Sequence, residues 1–375
     1  MLEKRRRRRK ADEEGTMQGK ITLDKSLFSQ KEKVLADFGT MKASAFLYES
    51  GVHAVRIENA RGYIIVLPFQ GQQIWDAVFD GRNLKMKSFF DKPILSSNLL
   101  DSYGAFQYHC GALRMGSPGP EDNHPLHGEL PGATYQDAYI VFGEDRAGLF
   151  VGVSGNFTYA RAFGDKYKAT PNVTLHEGAT ILDIDMTIEN LAHSPMDLMY
   201  MCHVNFLPAE NGEIVQATGW SPKDMIVRSS IPAHVKPTPQ FLAFLASLSA
   251  DPGVTRVIKP EDTYYPEVVF YLKNLRQDDQ NNTHMLQKHI DGTSDYISYN
   301  PTILDHTVRW ILKHEDQQVM GMALPATCDP EGYTAEKKKG NLRSIPGLGK
   351  VGFSVRTGYL NAAETVRMES LIRSL

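Results

Sequence analysis

A mainly β fold, built as one large sandwich, is what this sequence predicts, and three observations carry the prediction. From about Ala43 onward apolar and polar residues alternate with a period of two, the pattern of strands with one buried face. Turn-forming pairs such as Asp80-Gly81, Asn211-Gly212 and Asp291-Gly292 punctuate that pattern. Neither an internal repeat nor a long Pro/Gly/Ser linker divides the 375 residues. Many strands without a boundary point to a single sandwich rather than two small domains.

The clearest element lies at 173–188. Val173 and Leu175 alternate with Thr174 and His176, a turn follows at Glu177-Gly178, and Leu182, Ile184, Met186 and Ile188 then alternate with Asp183, Asp185 and Thr187. One face is apolar and the other acidic, as in an antiparallel hairpin with one face on a core. Further strands are expected at Tyr63–Pro68, Tyr139–Phe142, Leu149–Val153, Glu267–Leu272, Val308–Leu312 and Gly352–Leu360. Helix is scarce: Gln240–Leu248 is the best candidate, with a short helix near Lys25–Phe38.

Composition sets outer limits. With 42% hydrophobic and 23% charged residues the chain is globular, and a net charge of -3 gives no reason to expect nucleic acid as a partner. The three cysteines, Cys110, Cys202 and Cys328, lie far apart, so neither a disulfide framework nor a zinc-like pair spacing is expected. A reducing cytoplasm is the expected compartment. The most apolar run, Phe241–Leu248, falls far short of the ~20 residues of a bilayer helix, so no membrane partner is expected. The basic run Arg5–Arg9 is followed by Asp12-Glu13-Glu14 rather than by the apolar stretch of a signal peptide. Residues 1–20 read as a disordered arm and 21–375 as one domain. Antiparallel sheets leave edges on which copies can pair, so a homo-oligomer stays open.

Two segments are too polar and too rich in turns for simple structure. The first runs from Gly104 to Arg114 and on through Glu121 to Gly132; the second is Leu198–Pro208. In the second, His203 and Asn205 are two apart and share a strand face, while Cys202, Val204 and Phe206 share the other. Tyr200 and Pro208 on the same segment suggest a lined cleft; an ordinary solvent-facing or core histidine is the simpler alternative. In the first, His124, His127 and Glu129 are the ligand types of a transition-metal site. Pro125 and the spacing do not match a helical zinc motif, and no metal or other cofactor is expected. Among the aromatic residues, Trp75, Trp220 and Trp310 are candidates for stacking on a sugar face, although core positions are the usual place for them. Gln72 and Gln73 are expected in an exposed turn.

These residues resemble blocks of the aldose 1-epimerase (galactose mutarotase-like) family, in its bacterial branch of unassigned function. His109-Cys110-Gly111-Ala112, Gly116, His127-Gly128 and Pro131 are similar to the first block, and Cys202-His203-Val204-Asn205-Phe206 to the second. Met322–Gly332, continuing to Glu336 and Gly340, is similar to the third. The resemblance implies a galactose mutarotase-like β-supersandwich with few short helices. Its implied ligand is a monosaccharide or sugar derivative in an open cleft, and its implied reaction is anomer interconversion by ring opening. A carboxylate takes the anomeric proton and a histidine protonates the ring oxygen, and those residue types suit the task. By position His203 is the general acid, His127 a second catalytic-site histidine on the sugar, and Arg114, Asn205 and His124 binding residues.

One position departs from the family pattern. Where the family carries its base, a glutamate, this chain has Leu324, which accepts no proton. Asp329 and Glu331 are the nearby carboxylates that could replace it. Two expectations therefore stand: an isomerase with a relocated base, or a non-catalytic carbohydrate-binding protein.

Overall fold

The computed structural model describes residues 16–232 and 235–375; the arginine run and most of the expected arm at 1–20 lie outside the described residues. The chain is mainly β, as expected, with 22 strands in two antiparallel sheets and three short α-helices among the described residues.

The smaller sheet runs, edge to edge, through Thr16–Thr22, Asp137–Asp145, Gly148–Ala160, Lys166–His176, Ile181–Asn190, Lys350–Leu360, Ser294–Tyr299, Thr283–Lys288 and Ile214–Gln216. The hairpin expected at 173–188 is its centre. Leu175 pairs with Leu182, and Leu182, Ile184, Met186 and Ile188 are buried while Asp183, Asp185 and Thr187 are not. The larger sheet runs through Met225–Val227, Tyr264–Leu272, His306–Lys313, Gln318–Ala326, Met196–Val204, Gln107–Ala112, Ile74–Phe79, Gly62–Val66, His53–Asn59, Met41–Leu47 and Lys33–Phe38.

The larger sheet is buried on both faces. Its inner face, including Val204, Cys202, Phe270 and Ile311, packs with Val151, Leu182 and Ile184 of the smaller sheet in the main core. Tyr200 stacks on Phe353 across the gap, with ring centroids 4.5 Å apart. Its outer face carries a second apolar cluster: Met199, Met201, Val269, Val308, Trp310 and Leu324. A strand with two buried faces reads as a nearly continuous apolar run, which describes Met196–Val204.

Several local expectations change. The segment Lys25–Phe38 is not helical beyond a single 3-10 turn, Lys25–Leu27. Lys33–Phe38 instead pairs with Met41–Leu47 through a tight turn at Gly39, whose φ of 65° suits glycine. The helix at Pro239–Ala250 agrees with the expected Gln240–Leu248 and begins on a Thr238 cap. Tyr333–Lys339 and Ala362–Ser374 are helices not expected from the pattern. The second starts with a capping box between Asn361 and Glu364. Gln72 and Gln73 are buried rather than exposed, Gln73 donating to the carbonyl of Pro131. Tyr200 faces the inner core, so it lines no cleft.

Candidate functional site

Four neighbouring strands of the larger sheet, from Tyr264–Leu272 across to Met196–Val204, turn their outer face toward a cavity of about 340 Å³. His203, Leu324, Trp310 and Glu267 come from four successive strands of this floor, and Arg228 from the residue after the edge strand. Loops supply the walls: Phe89, Phe90 and Tyr103 on one side, Leu126 and His127 on another. Alternation along Met196–Val204 decides which residues arrive there. Met201 and His203 point outward, Cys202 and Val204 inward.

The hydrogen bonds around His203 fix its chemical form. Asn205 Nδ2 donates to the carbonyl of Ala105 at 3.0 Å, which leaves its Oδ1 facing His203 Nδ1 at 2.7 Å. An amide oxygen only accepts, so Nδ1 carries a hydrogen. Burial lowers the pKa of His203 to about 4, against the opposing hydrogen bond to Asn205, so the ring is neutral at pH 7. Its Nε2 then holds a lone pair. Tyr103 Oη lies 3.2 Å from it, and burial raises that phenol well above its usual value, so the hydroxyl donates. Tyr103 is placed by Tyr108, stacked at 5.4 Å, whose hydroxyl accepts from the amides of Gly104 and Ala105 at 2.8 Å.

His127 reaches the same spot from a loop. Its ring lies 5.1 Å from that of His203, edge to face. Its backbone has a φ of 60°, uncommon for a residue with a side chain. Its amide donates to Gly116 and its carbonyl accepts from Gly111, both at 3.0 Å. Gly128 lets this loop close on the sheet: a Cβ there would sit 1.9 Å from the carbonyl oxygen of Arg114. Gly116 does the same for the third sequence block, since a Cβ would come within 2.3 Å of Pro330.

Glu267 is the one carboxylate on the cavity wall among the described residues. Its Oε1 accepts from Arg228 Nη2 at 2.6 Å and its Oε2 from the Trp310 indole at 2.7 Å. Trp310 in turn lies 5.4 Å from the His203 ring. The wall thus runs from imidazole through indole to an Arg–Glu pair. Glu267 and Arg228 were not foreseen. The signal was a lone acidic residue in the otherwise apolar stretch Tyr264–Leu272, since a charge rarely enters such a strand unpaired.

The other sequence candidates fall elsewhere. Asn205 contacts His203 and does not line the cavity. Arg114 stacks on Tyr333 at 3.6 Å and donates to the carbonyl of Leu113, off the cavity. His124 contacts the carbonyl of Pro125 and Asp122, also off the cavity. Glu129 is spent on the amides of Ala112 and Leu113 and on the Tyr167 hydroxyl, and burial raises its pKa. Among the described residues no three His, Cys, Asp or Glu side chains converge on a metal-sized site. Asp329 and Glu331 line no part of the cavity. Glu331 accepts from Ser230, Tyr271 and Lys339, and Lys339 also pairs with Asp329 and Glu336. Burial raises the Glu331 carboxyl, but its hydrogen bonds, led by Lys339, outweigh this and leave it lowered. Of the tryptophans only Trp310 reaches the cavity; Trp75 is fully buried in the outer cluster, and Trp220 packs against the main core near Arg309. The three cysteines are buried and unbridged.

Residues 49–217 match a domain family of unknown function, DUF4432. No curated protein matches the chain in sequence. Among solved structures, a protein of Klebsiella pneumoniae provisionally described as an aldose 1-epimerase superposes with a TM-score of 0.80. It is 14% identical, over 95% of this chain and 96% of that one. A galactose mutarotase-like protein of Clostridium acetobutylicum superposes with a TM-score of 0.56 at 12% identity, over 86% and 98%. At these identities the likeness concerns architecture, and the architecture of this chain is the galactose mutarotase-like β-supersandwich.

Proposed function

We propose that the cavity binds a monosaccharide or sugar derivative and interconverts its anomers by ring opening, with His203 carrying the proton. The observation that supports this most is the fixed tautomer of His203: a neutral imidazole on a cavity of about 340 Å³, whose unprotonated Nε2 accepts from the Tyr103 hydroxyl, a bond that the anomeric hydroxyl replaces. The anomeric hydroxyl gives its proton to Nε2. The bond from the anomeric carbon to the ring oxygen breaks as the carbonyl forms, and the imidazolium returns the proton to the ring oxygen. Rotation about the C1–C2 bond and the reverse steps close the ring on the other face. The two oxygens share one carbon, so one nitrogen serves both.

This relay answers Leu324. A chain without the separate glutamate needs a group that takes a proton before it gives one, and a neutral ring of low pKa does so. The acid role implied for His203 is kept, as the second half of its cycle. His127 stands beside it to hold the ring or anomeric oxygen, and Glu267 with Arg228 binds hydroxyls farther along the ring. Trp310 offers an apolar edge between them.

Anomer exchange measured by NMR saturation transfer over a panel of aldoses tests the reading. Acceleration is expected for at least one sugar, with a loss of at least about a hundredfold in His203→Ala, the scale of a general acid–base group. Leu324 also favours the second reading, a non-catalytic carbohydrate-binding protein. Sugar-dependent thermal stabilisation without acceleration would select it.

A further inference from the structure

A second cavity, of about 380 Å³, lies among the segments 82–84, 207–210 and 289–295 and shares no lining residue with the first. Arg82, Leu207, His289, Ile290, Asp295 and Gln318 line it. Asp295 is 2% exposed. Its Oδ2 accepts from Gln287 Nε2 at 2.7 Å, and Gln287 also holds the backbone of Leu207 and Ala209, so the wall is built rather than incidental.

Three buried polar atoms here have no hydrogen-bond partner among the described residues: Arg82 Nε, His289 Nε2 and Asp295 Oδ1. The last two are 3.3 Å apart, yet out of line for a hydrogen bond to each other. Arg82 Nη1 stands 3.5 Å from His289 Nδ1. A guanidinium only donates, so Nδ1 is the acceptor and the hydrogen of the neutral ring is on Nε2. The unmet set is therefore two donors and one acceptor. Burying such groups unpaired costs roughly 1–3 kcal/mol each.

We infer that this cavity is a second binding site, for a polyol or sugar. A single hydroxyl is both donor and acceptor. One lying to the side of the His289–Asp295 pair accepts from Nε2 and donates to Oδ1, and a neighbouring hydroxyl accepts from Arg82 Nε. A diol carries the matching set of two acceptors and a donor, while an ammonium leaves both donors unmet and a carboxylate leaves Asp295 unmet. The volume lies in the range of small-molecule sites, roughly 300–1,000 Å³. The alternative occupant is a cluster of ordered waters.

Methyl NMR of the full chain separates the two cavities. Leu207 and Ile290 report on the second, Leu312 and Leu324 on the first. Titration with D-galactose, D-glucose and xylitol is expected to shift Leu207 and Ile290 saturably for at least one of them. In Asp295→Asn the same binding should weaken by about tenfold or more, while any shift at Leu312 and Leu324 is retained. Leu207 and Ile290 unmoved by all three compounds, or moved equally in Asp295→Asn, would overturn the site, and a water-only occupant would give that result. Shifts at Leu207 and Ile290 alone would uphold it even where the first cavity takes no sugar.

Discussion

His203 Nδ1 is held by one amide oxygen, and that single contact sets what the ring can do. With Asn205 Nδ2 committed to Ala105, the lone pair is kept at Nε2, and burial keeps the ring neutral. Replacing the amide by a carboxylate tests this directly. Asn205→Asp puts a charge beside Nδ1, favours the imidazolium, and is expected to raise the ring's pKa by one unit or more, on the order of the shifts that paired charges produce. Titration of His203 by NMR in both proteins reads the change; an unchanged titration would mean that the contact does not govern the ring. Asn205 was legible from the sequence as a partner of His203 on one strand face. Tyr103 was not, because its position depends on a stack with Tyr108 and two amide hydrogen bonds that no local pattern encodes.

At the scale of the element, the loop from Gly116 to Gly132 does the assembling. It lies against Gly111 of the sheet, carries His127 into the cavity, and is tied by Glu129 to the amides of Ala112 and Leu113 and to Tyr167 of the smaller sheet. Glu129→Ala leaves two buried amides and a buried hydroxyl without their acceptor. It should cost roughly 3 kcal/mol or more of stability, read by urea unfolding, and weaken any ligand binding that depends on His127. A stability change within experimental scatter would show that water replaces the carboxylate. The sequence offered Glu129 with His124 and His127 as the ligand types of a metal site, although no metal was expected, because carboxylate and imidazole at short spacing look alike in either use. The strands were legible because period two survives wherever one face is buried. The helix Ala362–Ser374 was missed although its capping box, Asn361 with Glu364, is a sequence signal. The 25–38 segment, expected to hold a short helix, instead enters a hairpin through the Gly39 turn.

At the scale of the molecule, the larger sheet is buried on both faces, and this places two histidines in it uncharged. Burial lowers the pKa of His203 to about 4 and of His109 to about 3. Both lie below the unfolded value of about 6.5, so between those limits the unfolded chain binds more protons than the native one, and stability rises with pH. His203 is expected to withdraw on the order of 3 kcal/mol and His109 on the order of 5 kcal/mol as pH falls from about 6.5 toward their native pKa values. Denaturant unfolding at pH 7 and pH 5 checks the sign: a protein equally stable at both would contradict buried, neutral rings. The same architecture explains what the sequence left hidden. Glu267 and Leu324 lie on strands separated only by His306–Lys313, yet they are 57 residues apart in the chain, counting from 267 to 324. Sheet order, not spacing, puts a carboxylate on the wall two strands from where a glutamate was expected.

The measurement that bears most directly on the account is the pH dependence of anomer exchange for a sugar that the protein turns over. A ring that first accepts a proton must be neutral in the free protein. The account predicts that kcat/KM rises through a pKa of about 4 and then stays level through neutral pH, and that His203→Ala abolishes the profile. A rate that falls as pH rises from 4 to 7, or one that His203→Ala leaves intact, would contradict it.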